Sequence, residues 1–156
     1  MDPRPFIGVI SDTHGHYDQL LDDLLAGAER IIHAGDIGVG VLDRLRRLAP
    51  VTAVLGNTDL ANLLPGVQSE AVAEAIDLRI LVGHIRDSLL RFHDPVTEGF
   101  DLVVTGHSHR AAVEWRHGVL LLNPGSAGSA RFGSPRSVAL VTAHAGRPQP
   151  RIVPLE

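Results

Sequence analysis

Five short apolar runs in this chain each end in side chains that donate to metals, and this repeated placement restricts the fold more than any other feature. Residues 6–10 lead to Asp12 and His14, residues 30–34 to Asp36, residues 51–55 to Asn57, LRILVG to His84, and DLVVT to His107 and His109. If each run is a β-strand, the carboxyl ends of the strands gather all seven donors in one place, where open α/β sheets collect their ligands.

Periodicity supports that reading. The first half alternates β-branched runs with helical spacing, as a βαβ arrangement with a largely parallel sheet does. Helices are expected over residues 17–28, where Leu20, Leu21, Leu24 and Leu25 share one face, and over residues 39–48, ended at Pro50. From residue 70 the pattern becomes a hairpin, AVAEAI and LRILV about a turn at Asp77. A helix over residues 87–100, bent or stopped near Pro95, precedes a strand at 102–105. Two further hairpins follow, RAAVEWR with VLLLN across His117-Gly118, and SVALVTA with PRIVPLE across Gly146. The small-residue stretch GSAGSARFGSP between them reads as a mobile loop. The expected architecture is a single domain over 1–156, two facing sheets flanked by helices.

Composition narrows the chemistry. A chain of 156 residues with 44% hydrophobic and 21% charged residues suits one globular core. There is no cysteine, hence no thiolate nucleophile and no cysteine-based zinc site. All 14 basic residues are arginine, which removes a P-loop lysine and any Schiff-base mechanism. Gly35, Gly38 and Gly40 lack G-x-G-x-x-G spacing, and no G-x-S-x-G elbow occurs. With a formal charge of -4 and no long basic run, bulk nucleic-acid binding is not expected. The start MDPRPFIGVI has no signal-like apolar stretch, and no run approaches the ~18 apolar residues of a membrane span. A cytoplasmic location is the expectation.

Singly, most of the motifs have a bland alternative. Asp12 could cap the following helix, and Gly-Asp or Gly-Asn-Thr-Asp could be a turn. The pair His107 and His109 is harder to set aside, since two histidines one residue apart after a buried run help no core. Neutral imidazole suits Mn, Fe, Co, Ni or Zn better than Mg or Ca. Five strand ends carrying donor residues together make coincidence improbable.

In order, Asp12-x-His14, Gly35-Asp36, Gly56-Asn57-x-Asp59, His84 and Gly106-His107-x-His109, followed by Asn123-Pro124-Gly125-Ser126, resemble the calcineurin-like metallophosphoesterase superfamily, and within it the small bacterial and archaeal phosphodiesterases. The resemblance implies an α/β fold, a four-layer α/β/β/α sandwich of two mixed sheets flanked by helices. It implies two divalent transition-metal ions, manganese foremost, with nickel, iron, cobalt and zinc as alternatives. Asp12, His14 and His109 would hold one ion, Asn57, His84 and His107 the other, and Asp36 both. The implied function is hydrolysis of phosphate diesters by a hydroxide bridging the two metals. Asp36, Asn57 and His107 would support that hydroxide and the phosphate, and Asp59 would orient a ligand or water from behind. A small phosphate ester is the implied substrate, with a homodimer by family analogy and no membrane partner. The runner-up readings are a phosphomonoesterase or nucleotidase on the same site, and a catalytically silent scaffold, as the retromer subunit that resembles this family has become.

Two positions depart from the family pattern. Larger relatives carry histidine where this chain has Thr58, and that histidine assists the leaving group; the small branch lacks it too. Around His84 the chain reads Val-Gly-His-Ile-Arg rather than a Thr-His-Gly type of segment, which puts Arg86 near a substrate phosphate, with a solvated loop position the simpler reading. Arg131 and Arg136 offer bidentate donors that could close over phosphate, with solubility as the bland alternative. His33 reads as a hydrogen-bonded core group, and His16 as a capping or exposed residue. His93, His117 and His144 read as surface residues, and Trp115 as a packing residue.

Overall fold

In the computed structural model, which describes residues 4–130 and 133–155, the alternating runs form two five-stranded mixed sheets. The strands are β1 (Ile7–Ile10), β2 (Arg30–His33), β3 (Val51–Ala53), β4 (Glu70–Ala75), β5 (Leu78–Gly83), β6 (Leu102–Val104), β7 (Ala111–Arg116), β8 (Val119–Pro124), β9 (Ser137–His144) and β10 (Arg147–Pro154). One sheet has the order β10-β9-β1-β2-β3 and the other β4-β5-β6-β8-β7. β1, β2 and β3 run parallel, as do β5, β6 and β8, so their carboxyl ends lie on a common side within each sheet.

Strand alternation sorts the apolar residues into three layers of packing. Ile7, Val9 and Ile32 from one sheet meet Ile80, Val82, Leu102, Val104 and Leu122 from the other in the central core. Their neighbours Ile10 and Ile31 point outward, where α1 (Leu20–Leu24) and α2 (Val41–Arg46) cover them through Leu21, Leu25, Val41 and Leu45. On the far side Leu81, Val103 and Leu121 pack against Leu89 of α3 (Arg86–Phe92). The result is the expected sequence of helices, sheet, sheet, helix.

The helices are shorter than their apolar spacing. Leu21, Leu25 and Ala28 are all buried, but the backbone leaves the helix after Leu24, turning through Gly27 at φ 79°. α3 ends at Phe92, before Pro95, because the residue preceding a proline avoids the helical region and His93 is already extended. The segment expected to be mobile is, over its first part, a packed element. Ser126 and Ala127 are buried, and Ala127 N–H and Gly128 N–H donate to Ser11 O and Asp12 O.

Candidate metal centre

All seven donors predicted from the sequence are found at strand ends, and their side-chain atoms converge. Asp12, His14 and His109 bring donor atoms within 4.8 Å of one another, as do Asp12, Asp36 and His84. Asp36 Oδ2 stands 3.7 Å from His14 Nε2 and 3.3 Å from His84 Nε2, between the two groups. Asn57 Oδ1 lies 3.0 Å from His84 Nε2 and 3.2 Å from His107 Nδ1. Donor atoms that share one small cation at ~2.1 Å are about 3.0–3.4 Å apart, so this spacing suits metal binding.

The backbone at these loops is unusual. Asp12, His14, Asp36, His107 and His109 all have positive φ, between 47° and 71°. Among the described residues the other non-glycine cases, Ile76, Asp77, His117 and Ala145, sit in hairpin turns. Left-handed backbone costs roughly 1–2 kcal/mol for most residues, less for Asp, Asn and His, and such conformations collect at functional sites. Here they turn successive side chains off the strand ends toward one point.

Each donor is held by its own partners. Asp12 Oδ2 accepts hydrogen bonds from Ser11 Oγ at 2.7 Å and His107 N–H at 3.0 Å. Its Oδ1, fully buried, accepts none among the described residues and faces His109 Nε2 at 3.3 Å. A buried carboxylate oxygen without a donor is costly unless a cation takes that place. His84 Nδ1 is 2.7 Å from Ala34 O, an acceptor only, so the imidazole donates there and turns its Nε2 toward Asn57 Oδ1. Orienting bonds of this kind accompany metal-ligating histidines. Asp36 lies below the usual carboxylate range: burial, the largest influence, pushes it up, but hydrogen bonds from Thr58 and the nearby His84 and His14 outweigh it.

Two glycines are required by the close approach of these loops. A Cβ on Gly56 would run into Asp36 Oδ1 and N, and one on Gly106 into Ser11 Oγ. The third and fifth loops can therefore touch the first and second only as glycine.

Asp59 acts on the site through the backbone. Both its oxygens are engaged by backbone, accepting from Ile37 N–H at 2.9 Å, Gly38 N–H at 3.1 Å and Gly56 N–H at 2.8 Å. It clamps the Asp36 loop against the Asn57 loop. Asp59→Ala should lower stability by about 2–4 kcal/mol in urea unfolding, since several N–H donors lose a charged acceptor.

Asn123 and Ser126 of the Asn-Pro-Gly-Ser segment, and His33, serve as buried pins. Asn123 Nδ2 donates to Gly106 O and Ser108 Oγ, fixing the His107–His109 loop, and Ser126 Oγ donates to Asp12 O. His33 Nδ1 accepts from Gly35 N–H, its Nε2 meets Thr13 Oγ1 at 3.0 Å, and Thr13 Oγ1 donates to Ile37 O. Burial holds His33 neutral, down to about 3. Only the unfolded chain takes that proton below the usual 6.5, so stability is full above pH 6.5 and falls as the pH drops towards 3. Between pH 6 and 4.5, His33→Gln should unfold with a flatter pH dependence than wild type, the difference approaching 1.4 kcal/mol per pH unit.

The arginines are occupied elsewhere. Arg136 pairs with Asp18 at 2.9 Å, Arg86 pairs with Glu114 at 2.8 Å, and Arg131 lies outside the described residues. His16 and His117 are exposed, as is His144; His93 is bound on both ring nitrogens by Glu98 and Glu70, which raise its pKa. Trp115 lies under the Arg147 guanidinium.

Comparison with known proteins agrees with this geometry. The model of the calcineurin-like phosphoesterase superfamily domain matches residues 6–146. The chain belongs to this superfamily. A probable metallophosphoesterase of Methanocaldococcus jannaschii is 37% identical over 133 residues, covering 77% of this chain and 67% of that protein. A phosphodiesterase of the same organism is 29% identical over 138 residues, 76% of this chain and 82% of that one. Among solved structures, the Vps29 protein of Entamoeba histolytica complexed with zinc superposes with a TM-score of 0.74 at 22% identity, over 97% of this chain and 99% of that one. As a calcineurin-like phosphoesterase the chain is a metallophosphoesterase by family, with Asp and His clusters suited to divalent metal. Among the described residues no helix is long and apolar enough to cross a membrane.

Proposed function

We propose that this phosphoesterase is a two-metal phosphodiesterase, converting a phosphodiester and water into a phosphomonoester and an alcohol. Asp12, His14 and His109 would hold one ion, Asn57, His84 and His107 the second, with Asp36 available to both. The observation that carries this reading is the position of Asp36 Oδ2 between His14 Nε2 and His84 Nε2. Two divalent ions against only two carboxylates would draw in an anionic phosphate and supply a nucleophile from water at neutral pH. Manganese is the preferred metal, on the nitrogen and oxygen character of the donors.

The chain's own part is preorganisation. Ser11 and His107 N–H hold Asp12 so that Oδ1 alone faces inward, and Ala34 O fixes the tautomer of His84. Thr58 donates its N–H to Asp36 Oδ1, and its hydroxyl is no efficient acid near neutral pH. The departing oxygen therefore takes its proton from solvent, which favours esters with good leaving groups. The relative named as a phosphodiesterase supports the diester preference.

The test is hydrolysis of an activated aryl phosphodiester and its monoester by chelator-treated protein, before and after Mn²⁺. Metal-restored turnover favouring the diester is expected; a monoester preference would make the chain a phosphatase, and silence on both with metal bound would make it a scaffold. Thr58→His should speed poorer leaving groups by about 10–100-fold relative to activated ones, as a positioned acid does. An unchanged ratio would place leaving-group protonation elsewhere.

A further inference from the structure

Beside Asn57 and His84 opens a cleft of about 470 Å³ that the metal donors do not fill. Its size lies within the roughly 300–1,000 Å³ of small-molecule sites. Leu55, Ile85, Leu89 and Phe92 form its apolar wall, with Ser88 and Glu70 at the edge. Phe92, at the carboxyl end of α3, is 77% exposed, a ring left in water at the border of a concave site. Isolated exposed apolar residues are common, but this one continues a wall that starts at the metal donors.

The charge of the cleft is as informative as its shape. Among the described residues no arginine lines it, and its carboxylates are Asp59, bound to backbone N–H groups, and Glu70, 2.8 Å from His93 Nε2. The smaller cleft on the His107 side, about 280 Å³, does carry an arginine, Arg86, already paired with Glu114. A second phosphate or a carboxylate placed in the larger cleft would meet like charge and, among the described residues, no arginine to pair with. A ring of aryl or nucleoside size would instead cover Phe92, Ile85 and Leu55 and remove apolar surface from water.

We infer that this cleft receives an uncharged, ring-bearing arm of the phosphate ester and rejects arms carrying further anionic groups. The inference rests on the phosphodiesterase reading for its substrate, and on the cleft alone for the arm. Phe92 is the specificity-determining side chain: it touches the arm and not the reacting phosphorus.

Three p-nitrophenyl phosphodiesters that differ only in the other arm test it: methyl, phenyl and 4-carboxyphenyl. Wild-type protein loaded with Mn²⁺ should show a KM for the phenyl ester about tenfold below that of the methyl ester and of the carboxyphenyl ester. Phe92→Ala should raise KM for the phenyl ester about fivefold more than for the methyl ester, with kcat for the two moving together. Ser88→Arg should bring the carboxyphenyl ester's KM down towards that of the phenyl ester. Equal wild-type KM values for the phenyl and methyl arms, or an equal loss for both in Phe92→Ala, would overturn the inference. Should no diester be hydrolysed, the phosphodiesterase reading falls, and saturation-transfer NMR with benzyl alcohol decides the cleft separately. Transfer to the alcohol that Phe92→Ala abolishes would sustain the arm's chemistry; no transfer with wild type would end that inference too.

Discussion

Asp36→Asn should leave a folded protein that has lost turnover by more than about 100-fold and no longer retains two metal ions per chain. The magnitude follows from comparison: removing groups that merely orient metal ligands costs 10–100-fold, and under the proposed two-metal reading Asp36 would itself be a ligand. The fold should survive for two local reasons. Position 36 has φ 54°, and asparagine is among the few residues that take left-handed backbone readily. An amide oxygen can also still accept the 2.9 Å hydrogen bond from Thr58 N–H. What is lost is the negative charge at Oδ2, between His14 and His84. Metal content by elemental analysis, read beside turnover of an aryl diester and a far-UV spectrum, checks all three parts. Wild-type activity in this variant would end the two-metal mechanism.

How much of this was legible beforehand depends on the range of the interaction. The strands were legible because alternation is a local property: Ile31 and Ile32 face opposite layers whatever the rest of the chain does. The donors were legible because each ends such a run, so placing the strands placed Asp12, Asp36, Asn57, His84 and His107. Helix ends were not, since the apolar face of Leu21, Leu25 and Ala28 continues past the point where Gly27 turns the backbone. Nor were pairings across the fold. Arg136 looked free to close over phosphate because its partner, Asp18, lies 118 residues away in sequence. Asp59 looked like a group for water or ligand because nothing local says that its carboxylate will be taken by the backbone of Ile37, Gly38 and Gly56. Small residues after Asn123 looked like a mobile loop for the same reason: Ala127 and Gly128 are small because they pass directly over Ser11 and Asp12.

Mn²⁺ should raise the melting temperature of chelator-treated protein by about 5–10 °C at a hundredfold excess over its dissociation constant. Saturating ligand at that ratio contributes about 2.7 kcal/mol, and a chain of this size shifts roughly 2–4 °C per kcal/mol. The structure gives a reason for the folded state to have this affinity and the unfolded chain not. Five of the candidate donors have left-handed backbone in loops that Ser11, Asn123, Ser126 and Asp59 pin, and this geometry vanishes on unfolding. Without a cation the folded site keeps Asp12 Oδ1 buried with no hydrogen bond among the described residues. That cost is relieved on binding, and it exists only in the folded protein. Asp36→Asn should accordingly melt close to wild type without metal and gain little when Mn²⁺ is added. Asn123→Ala should melt lower without metal, because Gly106 O and Ser108 Oγ lose their donor, and should also respond less, because the His107–His109 loop is no longer fixed. Calorimetric scans of the three proteins with chelator and with Mn²⁺ separate the donor from the pin; a wild type whose melting is indifferent to metal would show that these strained loops serve something other than a cation.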